Sequence, residues 1–262
     1  MRIVRFSPIE SAKLGNDPLY GILENETISV LKGDPIYSGV NPTSIEVNLA
    51  EVRLLAPVIP RSKVVCVGKN YADHAKEMDS QVPEEPVIFL KPNTSVIGPN
   101  DLIQWPRSSE RVDFEGELAI VISRICKEVP KERASDVIFG YTIANDVTAR
   151  DLQKKDGQWN RGKGFDTFCP LGPWIETDFK PESQKIITKL NGEVKQSEPI
   201  SSMIFKIPII IEFITSVMTL LPGDVILTGT PAGIGPMPAN SEISVTIEGI
   251  GTLTNKVSPR AK

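Results

Sequence analysis

Two glutamates of the sequence stand where a strand would bring their carboxylates together. Glu115 and Glu117 lie two residues apart in "VDFEGELAIVI" (112–122), and an apolar run follows them. Residues at i and i+2 of a strand face the same side, roughly 6–7 Å apart. Two like charges near 6 Å repel by about 3 kcal/mol at an effective dielectric near 20, and a divalent cation between them reverses that sign. The pair therefore predicts a metal site, unless it lies on a solvated strand face.

Asp146 offers a third carboxylate at the predicted end of a buried strand. The stretch "FGYTIANDVTARD" (139–151) is apolar up to Asn145 and turns polar after Asp146. Such an aspartate can enter a cleft, or it can cap a following helix. With one histidine and no Cys-x-x-Cys pair in the chain, a metal site must consist mostly of oxygen ligands. Oxygen ligands favour Mg²⁺ or Mn²⁺ over Zn²⁺.

The only histidine, His74, lies in "KNYADHAKEM" (69–78). A helix over 70–78 would place Glu77 at i+3 on the same face, where it can hold the imidazole in one tautomer. Asn70 could cap the start of that helix. His74 is then an acid–base group, a metal ligand or a surface residue, and its spacing alone leaves all three open.

Two glycine-rich segments could bring backbone close to a ligand. The segment "WNRGKGFDTFCPLGPW" (159–174) carries Arg161 and Lys163 beside glycines, and it reads equally well as a surface loop. The segment "LTGTPAGIGP" (227–236) is typical of an anion cradle built from backbone amides and threonine hydroxyls, with a plain loop as the alternative. It lacks the Gly-Lys-Ser/Thr ending of a Walker A loop.

The composition excludes several classes of protein. Hydrophobic residues make up 40% and charged residues 24% of the 262 residues, which is the usage of a globular protein. The net charge is −4 and no block of Lys and Arg occurs, which argues against nucleic-acid or membrane partners. The most apolar stretch, 206–221, is interrupted by Glu212 and is too short to span a bilayer. Three widely spaced cysteines fit the reducing cytoplasm.

The order of predicted elements indicates an α+β fold that is predominantly β. We expect a small N-terminal β domain at 1–55 and a main domain at 56–262, with helices at 70–78, near 148–156 and at 209–221. Because these helices do not alternate regularly with strands, mixed sheets or a barrel-like roll are favoured over a doubly wound sheet. Strands are predicted at 63–68, 86–91, 117–123, 137–146, 186–196, 224–230 and 242–257, after a hairpin at 19–31 and a loop at 32–44.

The motifs, taken together, resemble the fumarylacetoacetate hydrolase family. They occur in order over about 63–236 as "GKNYADH", "FLKP", "DFEGELA", "NDVTARDLQ", "RGKGFDTFCPLGPW", "LNGE", "SSMIF" and "PGDVILTGTPAGIG". The similarity is greatest to small acylpyruvate hydrolases that also decarboxylate oxaloacetate, and to isomerases and decarboxylases of aromatic catabolism. One departure is that "VVCVGK" lacks the fourth carboxylate that larger members place upstream of the histidine.

The resemblance implies a mixed β-roll, a homodimer and one Mg²⁺ or Mn²⁺ ion per subunit. The implied metal ligands are Glu115, Glu117 and Asp146. The implied catalytic residues are His74 and Glu77, an acid–base dyad on a mobile lid, and Lys163, which would stabilise developing negative charge. The implied substrate-binding residues are Arg150, Gln153, Gly229 and Thr230.

The expected function is cleavage of a C–C bond in a 2-oxo acid through a metal-stabilised pyruvate enolate. Oxaloacetate decarboxylation and 3-acylpyruvate hydrolysis would share that enolate. One alternative is a 2-hydroxyhepta-2,4-diene-1,7-dioate isomerase, or a related decarboxylase or hydratase of aromatic catabolism. The other alternative is a protein that binds a metal or ligand without turnover.

Overall fold

The structure is a computed structural model that describes residues 1–9, 14–15 and 17–260. Its fold is α+β and predominantly β, as the sequence predicts, with three sheets and a few short helices. The strands are β1 (Arg2–Pro8), β2 (Leu19–Glu24), β3 (Thr27–Leu31), β4 (Pro42–Asn48), β5 (Val52–Leu55), β6 (Val64–Gly68), β7 (Val87–Lys91), β8 (Val96–Ile97), β9 (Leu102–Ile103), β10 (Val112–Phe114), β11 (Gly116–Ile122), β12 (Ile138–Asn145), β13 (Thr148–Ala149), β14 (Cys169–Glu176), β15 (Lys185–Leu190), β16 (Glu193–Pro199), β17 (Val225–Leu227), β18 (Gly235–Pro236), β19 (Glu242–Ile247) and β20 (Gly251–Val257). The α-helices are α1 (Pro35–Ser38), α2 (Ala72–Glu77), α3 (Arg150–Asp156), α4 (Asn160–Lys163) and α5 (Ile207–Val217). None of the helices described is long and apolar enough to cross a membrane.

The largest sheet forms the frame of the molecule. Its order is β4-β3-β2-β1-β14-β12-β11-β17-β6-β7, with β5 on β1 and β8 on β14. Every residue of β11 is buried, because both faces of this central strand are covered, and its sequence is correspondingly apolar after Glu117. Over the described ranges the strand order stays open from β4 to β7, so the strands form a mixed sheet and not a closed barrel. The N-terminal strands join the same sheet, since Arg2 pairs with Glu176, and the domain division at residue 55 stays a prediction.

Two smaller sheets lie against this frame. One has the order β13-β10-β18 and the other the order β16-β15-β19-β20-β9. Strands β11 and β15 approach so closely that a Cβ atom at residue 116 would lie 2.2 Å from Oγ1 of Thr188. Only glycine fits at Gly116 without a shift of its neighbours. The glycine between Glu115 and Glu117 is thus required by the packing of the two sheets.

The largest difference between the predicted and the observed elements concerns the segment 159–174, for which one of two predictions is a surface loop. The structure forms α4 there and then β14, whose Leu171 and Ile175 are buried in the core. Proline and glycine favour turns, but Pro173 lies where the pairing of β12 with β14 shifts register between Tyr141 and Ile143. A strand tolerates proline at such an irregularity because the ladder does not need its N–H.

Smaller differences concern element ends. The predicted helix 209–221 begins at Ile207 and ends at Val217. The predicted loop 32–44 contains α1 and the first residues of β4. Boundaries of this kind depend on tertiary contacts that local sequence does not specify.

Candidate active site

Three carboxylates meet where β11 begins and the neighbouring antiparallel strand β12 ends. Glu115 lies between β10 and β11, and Asp146 directly follows β12. Because Gly116 pairs with Asn145, these two acids are brought to the same edge of the sheet. The side chain of Glu117, the second residue of β11, lies beside these two acids. One oxygen from each of the three buried carboxylates lies within 4.8 Å of the others.

Cationic side chains neutralise two of these three acids. Lys163 donates from Nζ to Oε2 of Glu115 and to Oδ2 of Asp146, at 2.7 Å in each case. Arg150 donates from Nη2 to the other oxygen of Glu115, and Lys91 donates to Oδ1 of Asp146 at 2.6 Å. Glu117 accepts only a backbone hydrogen bond, from the N–H of Gly229 at 2.6 Å. Within the described part of the chain, Glu117 has no cationic partner.

The electrostatics of Glu117 reflect that missing partner. Burial raises the pKa of Glu117 well above its usual range, and the neighbouring charges of Asp146 and Glu115 raise it further. For Glu115, burial also raises the pKa, but Lys163 and Arg150 outweigh burial and hold the pKa of that carboxyl well below its usual range. Lys163 itself has a raised pKa, because Asp146 and Glu115 more than offset the effect of its burial. Its ammonium is therefore charged.

The donor set fits a hard divalent cation. Asp113 pairs with Arg111 and Arg150. Glu115 pairs with Arg150 and Lys163, and Asp146 pairs with Lys91 and Lys163. Among the four buried carboxylates of the described chain at this place, Glu117 is thus the one whose charge no direct ion pair balances. Carboxylate oxygens are the ligands that Mg²⁺ and Mn²⁺ prefer. A cation held by Glu115, Glu117 and Asp146 would remove the repulsion that raises the pKa of Glu117.

Arg150 is held in place by a second acid that sequence reasoning missed. Its Nε donates to Oδ2 of Asp113 at 3.0 Å, and its Nη1 donates to Oε1 of Gln153 at 2.7 Å. The side-chain oxygen of Gln153 is thereby occupied, which leaves its NH₂ group as the free donor. The signal for Asp113 was present in the sequence, because Asp113, Glu115 and Glu117 alternate along "DFEGE".

Lys91 is a second residue whose role the sequence did not reveal. It ends β7 and is 1% exposed, and besides Asp146 its Nζ contacts the carbonyl oxygen of Val147 at 3.1 Å. The signal in the sequence for a buried Lys91 is its position at the end of an apolar strand, "VIFLK". A fully buried lysine requires an anionic partner, and here that partner is one of the three clustered carboxylates.

His74 and Glu77 lie on one face of α2, as their spacing predicts. Nδ1 of His74 lies 3.3 Å from Oε2 of Glu77, and His74 is 5% exposed. The predicted cap is wrong, because Tyr71 occupies the N-cap position without a side-chain cap. The side chain of Asn70 instead donates to the carbonyl oxygens of Thr228 and Phe205 and accepts from the N–H of Phe205. Asn70 thus anchors the start of the helix to the core instead of capping it.

The predicted anion cradle at 227–236 binds carboxylates of the chain itself. The N–H of Gly229 donates to Glu117, and the N–H of Gly233 donates to Oε1 of Glu77 at 3.1 Å. The hydroxyl of Thr230 donates to the carbonyl oxygen of Gly116 at 2.9 Å. One loop thus positions a residue of the carboxylate cluster and the acid of the His74 pair.

A single small cavity joins these groups. It has a volume of about 30 Å³. Its polar lining consists of Lys69, His74, Glu115, Glu117, Asp146, Arg150, Gln153, Lys163 and Thr230. Its apolar wall includes Met78, Phe89 and Trp159. Arg161, the other cation of 159–174, lies outside this cavity, where it is exposed and paired with Asp156.

Gln196 holds two segments of the cavity wall together, and the sequence did not reveal this role. It is buried, accepts from the N–H of Gly116 at 3.1 Å, and donates to Oγ1 of Thr230 at 2.8 Å. The sequence gives no local signal for it, since "EVKQSE" reads as an ordinary hairpin strand. Its role depends on contacts between residues 80 and 34 positions apart along the chain.

We expect Gly233→Ala to lower kcat by about tenfold. Gly233 has a φ of +97°, and a Cβ atom there would lie 2.1 Å from the carbonyl oxygen of Lys195. The loop must shift, so Glu77 loses its backbone donor, and a hydrogen bond to a charged group contributes about 1.5–3 kcal/mol. Steady-state kinetics measure the effect.

The matched control is Gly192→Ala. Gly192 also has a positive φ, of +83°, but open space surrounds its Cβ position. The control introduces the same backbone strain without a clash, so its kcat should match that of the unaltered protein. Equal losses in both variants would contradict the role assigned to Gly233.

Comparisons with known proteins establish the family. The model of the fumarylacetoacetate (FAA) hydrolase C-terminal family matches residues 63–258, and a model described as Rv2993c-like, N-terminal, matches residues 1–57. The chain therefore belongs to the fumarylacetoacetate hydrolase family, as the motifs imply.

Its relatives include both bacterial proteins and solved structures. Protein Rv2993c of Mycobacterium tuberculosis is 60% identical over 217 residues, which cover 82% of each chain. Oxaloacetate tautomerase YisK of Bacillus subtilis is 44% identical over 224 residues, which cover 80% of this chain and 74% of that protein. The crystal structure of 5-carboxymethyl-2-hydroxymuconate delta-isomerase from Mycobacterium smegmatis has a TM-score of 0.90 and 49% identity, and the match covers 99% of this chain and 100% of that one.

Proposed function

We propose that this protein is a metal-dependent enzyme that acts on a 2-oxo acid of the oxaloacetate type through its enolate. The observation that carries the proposal is the convergence on one cavity of three carboxylates, the buried Lys163 and His74, whose imidazole contacts Glu77. Two relatives are named as a tautomerase and an isomerase, and both names describe the movement of a proton in an unsaturated acid.

The cluster and its neighbours have the chemistry to bind the carboxylate and 2-oxo end of the substrate. A Mg²⁺ or Mn²⁺ ion held by Glu115, Glu117 and Asp146 would supply Lewis-acid polarisation of the 2-oxo group. The Nζ of Lys163 is buried and charged, so it can stabilise negative charge that develops on the same oxygen. The free NH₂ group of Gln153 can donate to the substrate carboxylate, in an orientation that Arg150 fixes.

His74 is the group that can move a proton. With Nδ1–H directed at Glu77, Nε2 carries the lone pair and can act as a base. The C3–H bond of the substrate breaks, its proton passes to Nε2, and its electron pair forms the C2=C3 bond as the 2-oxo oxygen becomes an enolate. Return of the proton to that oxygen gives the enol, and return to C3 gives the keto form.

Cleavage of a C–C bond is the second candidate, and the same groups support it. In oxaloacetate the C3–C4 bond breaks, CO₂ leaves, and the electron pair remains as the enolate of pyruvate, which takes a proton at C3 from water through Nε2 of His74. In a 3-acylpyruvate, His74 would take a proton from a water molecule as the water oxygen adds to the distal carbonyl. The C3–C4 bond then breaks, the acyl group leaves as a carboxylic acid, and the enolate of pyruvate takes the proton from His74 at C3. The histidine–glutamate pair serves this candidate too, because the hydrolysis needs a base that activates water.

The deciding experiment supplies the purified protein and Mg²⁺ with three substrates: oxaloacetate, acetylpyruvate and 2-hydroxyhepta-2,4-diene-1,7-dioate. Enol–keto conversion is followed by ultraviolet absorbance and pyruvate release by a coupled dehydrogenase, with Glu117→Gln as the matched control. We expect Mg²⁺-dependent enol–keto conversion of oxaloacetate, while fast pyruvate release would favour the second candidate. Activity on the dienedioate alone would favour an isomerase of aromatic catabolism. Tight oxalate binding without turnover of any substrate would overturn the proposal in favour of a binding protein.

A further inference from the structure

Lys69 stands in the cavity wall at the junction between β6 and α2. Its φ of +58° lies in the left-handed region, which costs a side chain of this kind about 1 kcal/mol and occurs preferentially at functional sites. Both neighbours are fixed. A Cβ atom at Gly68 would lie 2.6 Å from the indole of Trp159, and Asn70 is bonded to the core on both sides. The fold therefore sets the direction in which the Cα–Cβ bond of Lys69 leaves the backbone.

The charge of Lys69 distinguishes it from the other cations of the cavity. Lys163 is neutralised by Glu115 and Asp146, and Arg150 is neutralised by Asp113 and Glu115. Lys69 forms no ion pair with any carboxylate in the described ranges. Its Nζ donates to the hydroxyl of Ser80 at 2.7 Å and lies 5.9 Å from the ring centre of Trp159. A half-buried ammonium whose partners are neutral can accept an anion from a ligand without breaking an existing ion pair.

The substrate has two ends, and the groups around the carboxylate cluster hold only one of them. The carboxylate cluster, Lys163 and Gln153 address the carboxylate and 2-oxo group. Lys69 lines the same cavity from the side of β6 and α2, with Met78 and Trp159. The apolar side chain of Met78 and the aromatic side chain of Trp159 lower the local dielectric, which strengthens an ion pair formed there.

We propose that Lys69 binds the distal carboxylate of the substrate and so selects dicarboxylic 2-oxo acids over those with a neutral distal group. This inference rests on the proposed function, because it assumes that a 2-oxo acid is bound at the carboxylate cluster. Oxaloacetate carries the required second carboxylate, whereas acetylpyruvate carries a methyl ketone in its place.

A purely structural role for Lys69 makes a different prediction. Lys69 and Ser80 flank α2, so their hydrogen bond could serve only to hold the helix that carries His74. Loss of that bond would impair every substrate equally, and Ser80→Ala would reproduce the effect. If Lys69 selects the substrate, Ser80→Ala retains the preference for oxaloacetate, because the ammonium is still present.

The test compares Lys69→Met with the unaltered protein on oxaloacetate and acetylpyruvate, with exchange of the C3 proton for solvent deuterium as the readout. We expect kcat/KM for oxaloacetate to fall by about 10–100-fold, the loss of one charge-assisted hydrogen bond, and kcat/KM for acetylpyruvate to stay within about twofold. Inhibition by oxalate, which resembles only the carboxylate and 2-oxo end, should be unchanged. Lys69→Arg should restore most of the preference. Lys76→Met is the matched control, since Lys76 lies on α2 with its side chain exposed.

The outcomes separate this inference from the proposed function. Equal losses on both substrates, weakened oxalate inhibition, or an unchanged preference in Lys69→Met would each overturn the role of Lys69 while leaving the enolate chemistry intact. If the unaltered protein exchanges the C3 proton of neither substrate, the proposed function fails first. If it acts on oxaloacetate alone, the oxalate comparison decides, because a selective role raises KM for oxaloacetate without changing the inhibition constant of oxalate.

Discussion

Replacing His74 with alanine is expected to lower kcat by about 10²–10⁴-fold, the usual contribution of a positioned general acid or base. The metal site should survive the substitution, because Glu115, Glu117 and Asp146 converge without a contribution from the histidine. The cavity left by the imidazole is enclosed, since His74 is 5% exposed. Added imidazole should therefore restore part of the activity. Turnover of oxaloacetate and calorimetric titration with Mg²⁺ measure the two effects separately.

Asp73→Ala is the matched control for His74→Ala. Asp73 precedes His74 on α2, and its side chain is largely exposed in a pair with Lys76, so its removal tests the integrity of the helix alone. We expect that variant to keep its kcat within about twofold, as is usual for surface positions. If His74→Ala abolished Mg²⁺ binding, the histidine would be a ligand and the acid–base assignment would fail.

Local spacing indicated which carboxylates could meet, although it left a solvated strand face and a helix cap as alternatives. The alternation in "DFEGE" and the polar break after Asn145 place acids at strand ends, and the pairing of Gly116 with Asn145 brings them together. The spacing of His74 and Glu77 works in the same way, because i and i+3 share a helix face. Short-range geometry thus predicts which side chains of one element point together.

Supporting residues could not be predicted in that way. Lys91 and Asp146 are 55 positions apart, and Gln196 and Gly116 are 80 positions apart. No periodicity reports contacts of that range, because they arise only when the sheets pack. The assignment of Asn70 as a cap failed for the same reason, since its amide finds stronger partners in Thr228 and Phe205 than the exposed start of a short helix provides.

Strand β14 illustrates the corresponding limit for the fold. Its sequence "CPLGPWIE" contains two prolines and a glycine, which favour a turn when read locally. In the structure it pairs with both β1 and β12, and Leu171 and Ile175 are buried. Burial of these side chains between sheets outweighs the local preference. Strands without proline, such as β6 and β11, lie within a residue or two of their predicted ranges.

Glu117→Gln and Asp146→Asn should have opposite effects on the metal-free protein, although each replaces an acid of the same cluster with its amide. The pKa of Glu117 is raised by burial and by the charges of Asp146 and Glu115. A carboxyl with a higher pKa in the folded state binds protons more readily when folded, so stability falls as pH rises from the unfolded pKa towards the folded one. At neutral pH, above the unfolded pKa, the carboxyl of Glu117 therefore destabilises the metal-free fold. Glutamine removes the ionisable group, and in chelator Glu117→Gln should unfold at a higher temperature than the unaltered protein.

Asp146 differs because two lysines depend on it. Its loss leaves Lys91 with only the carbonyl oxygen of Val147 and removes one of the two carboxylates that hold Lys163. Removing one partner of a buried ion pair typically costs about 3–5 kcal/mol, so Asp146→Asn should lower the free energy of unfolding by about that amount in chelator.

Mg²⁺ should stabilise the folded state by about 2.7 kcal/mol at a hundred times the dissociation constant. The melting temperature of the unaltered protein should therefore rise when Mg²⁺ is added, and the melting temperatures of both variants should not. If Mg²⁺ still stabilised Glu117→Gln as strongly as the unaltered protein, Glu117 would not be a ligand. If Asp146→Asn were as stable as Glu117→Gln in chelator, the two lysines would not depend on Asp146. The opposite signs expected without metal thus separate a carboxylate that only binds the cation from one that also holds the buried lysines in place.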